Sequence, residues 1–125
     1  ELARASYPQH YAGHEIHALS GVSLTESFTG QKIDRADPIF FEHEDNAALL
    51  DGKWKLVGSK VSVPGAVDAS KWELYDLEND RTETRDLAAR HPEKVARLAA
   101  RWSEWAGEVG VYPKPASRNM PQPKK

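Results

Sequence analysis

Residues 40–57 read FFEHEDNAALLDGKWKLV, and the second half of this stretch is the clearest structural signal in the chain. An apolar run ends at Asp51-Gly52, and Trp-Lys-Leu-Val follows it. Asp-Gly between apolar runs favours a two-residue type I′ turn, because both central residues need a positive φ and these two tolerate it. Alternate side chains of a strand share a face, so Trp54 and Leu56 would lie together. The stretch predicts a β-hairpin.

Two further strands are predicted on either side of this hairpin. Residues 38–43, PIFFEH, form a short β-favouring run, and Pro38 stands at its start, where a strand tolerates proline. Residues 71–77, KWELYDL, would place Trp72 and Leu74 on one face. Between them, residues 58–70 are rich in Gly, Pro and small side chains, which predicts a loop. At least three strands result, and we expect them to be antiparallel.

A helix is predicted over residues 92–106. Pro92 suits the first helical position, where its missing N–H would have had no intrahelical partner. Gly107 and Gly110 are expected to end the helix. One apolar stripe at helical spacing comprises Val95, Leu98, Ala99, Trp102 and Trp105.

The fold class that follows is α+β, with a small antiparallel sheet packed against a C-terminal amphipathic helix. In this arrangement Trp54 and Trp72 would meet Trp102 and Trp105 between the two layers. Burying the four indoles would contribute several kcal/mol, at about 25 cal/mol per Å² of apolar area.

The chain divides into three segments by composition. Residues 1–37 show no period of 2 or 3.6 and are expected to be irregular, apart from a short helical turn capped by Ser23 and ended by Gly30. Residues 38–112 hold the predicted sheet and helix. Residues 113–125 contain four prolines and predict an extended tail.

The length, net charge, apolar runs and cysteine content of the chain argue against several classes of function and partner. The 125 residues allow one domain at most, and we expect a fragment because the chain begins at Glu1 without an initiator Met. The net charge of -2 gives no reason to expect a nucleic-acid partner. No apolar run approaches the roughly 18–20 residues of a membrane span, so no membrane partner is expected either. The absence of cysteine excludes disulfides and thiolate chemistry within these residues but leaves the localisation open.

The first half of the opening stretch is a polar cluster, residues 42–46, EHEDN. Imidazole and carboxylates serve as general acids, bases or hard metal ligands. Successive strand side chains point to opposite faces, however, so three of them converge only if the strand breaks here. We favour a solvated strand end or turn, with a substrate contact as the second interpretation and an autonomous metal site as the third.

Two other polar groups have structural interpretations that we prefer. His10 and His14 have the i,i+4 spacing of a helical zinc pair, but Pro8 and Gly13 argue against a helix there. A cationic strand edge that prevents aggregation, or meets an anion, is predicted for Lys53, Lys55, Lys60 and Lys71. No glycine-rich phosphate loop or Gly-x-Ser-x-Gly elbow occurs in the sequence, so self-contained catalysis is not expected.

The order of three segments resembles the C-terminal end of type I sulfatases of the arylsulfatase kind. These segments are YAGHEIHALSGVSLTESFTG, IFFEHEDNAALLDGKWKLV and WELYDLENDRTETRDLAARHPEKVARLAARWSEWA. The resemblance covers roughly residues 11–112 and is most specific over residues 72–93. It implies that residues 1–37 come from the end of an alkaline-phosphatase-like α/β catalytic domain, and that residues 38–112 form the C-terminal subdomain that follows this domain in the family.

The resemblance also implies the reaction and its cofactors. Such sulfatases hydrolyse sulfate esters with a formylglycine, made from Cys or Ser in a C/S-x-P-x-R motif, and a calcium ion held by Asp and Asn residues. Residues 62–66, SVPGA, have Ala where that motif needs Arg, and Asp45-Asn46 does not correspond to the calcium pair. No catalytic or metal-binding residue is therefore expected here. Calcium and formylglycine would belong to a catalytic domain, which is the expected partner of this chain.

The resemblance implies a site as well. In sulfatases the first strand of the subdomain and the loop after it lie near the mouth of the active-site cleft. The substrate-binding residues would then be His43, Glu44 and Asn46, with a sulfate ester as their ligand. Two alternatives stay open: a freestanding non-catalytic binding module, and the same subdomain of a related phosphonate or phosphate monoester hydrolase.

The N-terminal segment contains apolar side chains without an evident partner in the small core. We expect them to be exposed, to pair with a second copy of the chain, or to be disordered. They are Tyr7, Tyr11, Ile16, Leu19, Val22, Leu24 and Phe28.

Overall fold

The computed structural model describes residues 2–33, 35–61 and 69–111. The chain forms two compact units, Glu1–Ala36 and Asp37–Lys125. Residues 62–68 of the predicted loop and the whole predicted tail, 113–125, lie outside the described residues.

The first unit contains a small hairpin of strands β1 (His10–Tyr11) and β2 (His14–Glu15), which the sequence analysis did not predict. Strands of two residues are too short to give a detectable period. A 3₁₀ turn over Thr25–Thr29 follows, and the Ser23 hydroxyl accepts a hydrogen bond from the N–H of Thr25 at 3.2 Å. Gly30 ends this turn in the left-handed conformation, with a φ of 77°.

Six of the seven apolar N-terminal side chains singled out from the sequence are exposed, and Ile16 is partly buried. Four of them, Leu19, Val22, Leu24 and Phe28, line a shallow apolar depression within the first unit.

In its described residues the second unit contains a four-stranded antiparallel meander, one α-helix and two short 3₁₀ turns, Ala69–Lys71 and Ala88–Arg90. Its strands are β3 (Ile39–His43), β4 (Asn46–Asp51), β5 (Trp54–Gly58) and β6 (Trp72–Asp76), in the spatial order β3-β4-β5-β6. Helix α1 (Pro92–Glu108) packs on one face of this sheet. The predicted α+β fold class is confirmed. No helix in the described part of the chain is long and apolar enough to cross a lipid bilayer.

The core lies between α1 and one row of the sheet. Leu49, Leu56 and Leu74 are cross-strand neighbours in that row, and all three are fully buried. Burying one such side chain contributes about 1.5–3 kcal/mol. The helix contributes the buried residues Val95, Leu98, Ala99, Trp102 and Ala106.

The sequence predicted that all four tryptophans meet between the two layers, and this prediction is wrong for Trp54. The Trp72 ring meets Trp102 edge-on at 6.0 Å between centroids, and Trp105 stacks on Phe40 at 5.1 Å. Trp54 instead contacts His91, at the N-terminal end of the helix, at 5.4 Å. Because each residue advances a helix by about 1.5 Å, that end lies roughly 16 Å from Trp102, beyond the reach of Trp54.

The β4–β5 turn is shifted by one residue from its predicted position. Asp51 stays in the ladder as the partner of Trp54, so the two central residues are Gly52 and Lys53. Gly52 has a φ of 58°, and Lys53 does not have a positive φ. A positive φ at the first central residue alone is typical of type II′, so the predicted type I′ turn at Asp51-Gly52 is wrong.

Helix α1 ends two residues later than predicted. Gly107 lies inside the helix and does not take the left-handed conformation that commonly ends one. Gly110 takes it, with a φ of 75°. The N–H of Val111 then donates to the carbonyl of Ala106 at 2.8 Å, and the N–H of Gly110 to that of Gly107 at 3.3 Å. These two bonds form a Schellman motif.

We predict that Gly58→Ala destabilises the chain, because an added Cβ would lie 2.7 Å from both Trp72 Cε3 and Val61 Cγ1. Overpacking of this kind costs about 1–3 kcal/mol of unfolding free energy. Urea unfolding followed by tryptophan fluorescence measures the change. The matched control is Gly107→Ala, where a Cβ meets no atom within 4 Å and the helix should gain up to about 1 kcal/mol. Equal stability of the two variants would contradict this account of the core.

Candidate functional site

The predicted site cluster is the turn between β3 and β4. His43 and Asn46 form the last cross-strand pair, and Glu44 and Asp45 are the two central residues. Their φ values are 48° and 72°, and positive φ at both central positions is the signature of a type I′ turn. The strand therefore breaks here, which is the condition under which these side chains can approach one another. A left-handed conformation costs a residue with a side chain roughly 1–2 kcal/mol, so surrounding bonds must hold the turn.

The Asn46 side chain supplies three of these bonds. Its amide nitrogen donates to the carbonyl of His43 at 3.2 Å and to that of Glu44 at 3.4 Å. Its amide oxygen accepts a hydrogen bond from the N–H of Lys60 at 3.3 Å. Asn46 thus connects the turn to the segment that follows β5, and its polar atoms are engaged within the protein.

Two further bonds fix the turn through Asp45. The N–H of Asp45 donates to the Glu42 carboxylate at 3.1 Å, and the carbonyl of Asp45 accepts from the N–H of Val61 at 2.9 Å. The turn is therefore fastened on both sides, to the strand before it and to the chain after β5.

The structure places all three predicted substrate-binding residues at this one end of the sheet. His43 and Glu44 are exposed, and neither side chain makes a hydrogen bond with another described residue. They can therefore contact a ligand, whereas the Asn46 side chain positions the turn. Binding of substrate by these residues stays a prediction.

The histidines of the first unit do not form the helical pair that a zinc site would need. His10 lies in β1 and His14 in β2, where they face Glu15 and Tyr11 respectively. Across residues 2–33, 35–61 and 69–111, no group of three or more His, Asp or Glu side chains is placed to hold a metal ion. The described residues therefore do not fit a calcium site.

The predicted cationic edge is wrong for two of its lysines. Lys55 lies on β5, which is an internal strand, and its ammonium is 2.6 Å from the Glu83 carboxylate. Lys53 lies in the β4–β5 turn, 2.8 Å from the Asp76 carboxylate and 3.5 Å from that of Glu78. The meander places β5 between β4 and β6, so these lysines form ion pairs instead of lining an open edge.

The carboxylates of residues 72–93 hold the backbone, a role that the sequence analysis missed. Asp86 accepts hydrogen bonds from the N–H groups of Leu74 at 3.0 Å and Ala88 at 2.8 Å. The N–H of Leu87 also donates to the carbonyl of Leu74 at 2.8 Å. This segment therefore satisfies backbone groups on the outer side of β6 and covers that edge of the sheet.

Asp76 and Asp80 organise the loop between β6 and this segment. Asp76 accepts from Lys53, from the Asn79 amide at 3.0 Å and from the N–H of Glu78 at 3.1 Å. Asp80 accepts from the N–H groups of Thr84 at 2.9 Å and Arg85 at 2.8 Å.

These donors change the acidity of both carboxyls. The pKa of Asp76 is lowered chiefly by the hydrogen bond from Lys53, and that of Asp80 by the bonds from the N–H groups of Thr84 and Arg85. Asp side chains commonly accept a hydrogen bond from the N–H two residues later. This local tendency is the sequence signal that could have identified Asp76 and Asp86.

We predict that Asp86→Ala destabilises the chain by about 1–2 kcal/mol, because the N–H of buried Leu74 loses its acceptor. Asp86→Asn keeps an acceptor oxygen and should lose less than half as much. Urea unfolding of the two variants measures the difference. A variant pair with equal losses would show that the hydrogen bond to Leu74 does not stabilise the fold.

Stability should also fall in acid. A carboxyl with a lowered pKa stabilises the folded state above its unfolded pKa, near 3.8, and loses this contribution as the pH falls through its folded pKa. Between about pH 6 and pH 3 the urea midpoint of Asp76→Asn/Asp80→Asn should therefore change less than that of the unmodified chain. Glu104→Gln, on the exposed side of α1, is the control and should keep the original pH dependence. An unaltered acid profile in the double variant would show that these two carboxyls are not responsible.

No protein-family model matches the chain. Over 118 residues the chain is 30% identical to an uncharacterized sulfatase of Schizosaccharomyces pombe. The match covers 92% of this chain but only 21% of the relative. The chain therefore spans about a fifth of that protein's length, and nearly all of it is similar to part of a sulfatase.

Proposed function

We propose that this chain is the C-terminal subdomain of a formylglycine-dependent sulfatase of the arylsulfatase kind, within the alkaline phosphatase superfamily. The observation that carries the proposal is the similarity to a sulfatase over 92% of the chain. The sheet packed on a C-terminal helix agrees with the fold that the sequence resemblance implies. The reaction would be hydrolysis of a sulfate ester, with this chain forming part of the wall of the active-site cleft.

The proposal assigns the reacting groups to another domain. Formylglycine and calcium would be held there, since the described residues offer no cluster that fits a metal ion. No step of the reaction is therefore assigned to residues of this chain. Their contribution is to support the cleft and to contact the substrate beside the sulfate.

The outer face of the sheet is evidence for a large partner such as a catalytic domain. On this face, opposite α1, Ile39 is 42% exposed and Phe41 is 49% exposed. Partly buried neighbours extend the apolar area, namely Ala48, Leu50 and Val57. Contiguous exposed apolar area of this kind is typical of surfaces that another body covers. We assign it to the catalytic domain.

The conformation of the β3–β4 turn is evidence for a substrate contact through His43. Its imidazole is exposed at the closing pair of a turn with two left-handed residues. Backbone conformations that cost energy persist where other bonds impose them, and they are concentrated at ligand-binding sites. An imidazole can donate a hydrogen bond to a sulfate oxygen or to the organic part of the ester.

The test of the proposed function uses the protein as its gene encodes it. A C/S-x-P-x-R motif is expected in the reading frame upstream of Glu1, together with hydrolysis of p-nitrophenyl sulfate. The same preparation is assayed with p-nitrophenyl phosphate and with a phosphonate monoester. Turnover of those esters without turnover of the sulfate would overturn the proposal, as would an upstream sequence without the motif.

In that protein we predict that His43→Ala lowers kcat/KM for an aryl or sugar sulfate by about tenfold, the usual effect of losing a hydrogen bond to a charged group. Steady-state kinetics measures it. The matched control is His17→Ala, an exposed histidine of the first unit, which should leave kcat/KM within about twofold. Unchanged kinetics in His43→Ala would show that the cluster is only a solvated turn.

A further inference from the structure

A second cleft lies beside Trp54. Its volume is about 420 Å³, within the range of small-ligand sites. It opens between the ends of β5 and β6 and the loop that leads to α1. The lining residues include Trp54, Asn79, Thr84, Arg85, Arg90 and His91.

The acidic groups of this cleft are compensated within the protein. Asp76 and Asp80 also line it, but their oxygens accept hydrogen bonds from Lys53, Asn79 and the backbone, as described above. Both carboxylates are therefore surrounded by hydrogen-bond donors, and Asp76 is also paired with the Lys53 ammonium.

The cationic groups, in contrast, make no close ion pair with described residues, and Arg85 has a longer-range charge interaction with Asp80. Arg85 and Arg90 are exposed, and no ion pair joins either to another described residue. The Lys94 ammonium lies 4.4 Å from the centroid of the Trp54 ring, and His91 meets the same ring edge-on. Positive charge thus surrounds an indole at the mouth of the cleft.

We propose that this cleft binds a sulfated carbohydrate. The guanidinium groups of Arg85 and Arg90 take a sulfate, because their planar donors match the geometry of an oxyanion. Trp54 supplies the apolar wall for the sugar ring. The Asn79 amide nitrogen and the Thr84 hydroxyl donate to Asp76 and Asp80, so the Asn79 and Thr84 oxygens are left to accept hydrogen bonds from sugar hydroxyls. The choice of sulfate among oxyanions rests on the proposed function.

The cleft is distinct from the His43 site. Asn46 begins β4 beside His43, and Asp51 ends it beside Trp54. At about 3.3 Å per residue the two ends of β4 are roughly 17 Å apart. A ligand in the cleft therefore binds apart from a sulfate ester at the His43 end.

The experiment measures binding by the 125-residue chain. Isothermal titration uses a size-defined heparin tetrasaccharide as the probe, and the chemically desulfated tetrasaccharide as its comparison. Wild type should bind the sulfated probe and shift the indole N–H resonance of Trp54 in ¹H–¹⁵N spectra. Arg85→Ala/Arg90→Ala should weaken binding about tenfold or more, because two charge-assisted contacts are lost.

The matched control is Arg4→Ala/Arg97→Ala, which removes the same charge from two exposed positions outside the cleft. It should weaken binding less than about threefold. Equal losses in the two double variants would overturn the proposal in favour of non-specific charge attraction. Equal binding of the desulfated probe, or no binding by wild type, would overturn it too.

This test is independent of turnover. If the protein as its gene encodes it does not hydrolyse sulfate esters, the proposed function is wrong, but specific binding of the probe would still support the cleft assignment. If the chain does not bind the probe, only the cleft assignment is wrong, because hydrolysis is measured on other substrates.

Discussion

Trp102 is the side chain on which the second unit depends. It is 2% exposed, contacts Trp72 on β6, and donates its indole N–H to the carbonyl of Phe41 on β3 at 2.9 Å. One helical residue therefore connects both edge strands of the sheet to α1. Because a four-stranded sheet this small has one buried face, the packing of this helix determines which face is core and which stays available to a partner.

This constraint also determines where ligands can be bound. The face toward α1 is filled by Leu49, Leu56 and Leu74, so the two proposed ligand contacts lie at the ends of the strands. At one end the β3–β4 turn exposes His43, and at the other Trp54 borders a cleft that Arg85 and Arg90 also line. Both proposed contacts lie on loops that a rigid sheet positions, which is a common arrangement for binding residues.

The stretch that most resembles a sulfatase is structural in this chain. Across residues 72–93, Asp76, Asp80 and Asp86 accept hydrogen bonds from the backbone, and Glu83 pairs with Lys55 across the sheet. These contacts fix the loop after β6 and cover its edge. The resemblance in this stretch therefore indicates a shared fold, and the catalytic residues of the proposed enzyme would lie elsewhere.

The sequence by itself determined the main strands and the helix of the second unit. The alternation of apolar residues predicted the strands, the apolar stripe after Pro92 predicted the helix, and their combination predicted the α+β class, since each pattern depends only on local periodicity. Only the tertiary structure decided the register that places Gly52-Lys53 in the turn, the pairing of Trp54 with His91, and the positions of His43 and Asn46 across a strained turn. These features depend on which backbone groups meet across the sheet, and a strand that slips by one residue exchanges its two faces without any change in sequence.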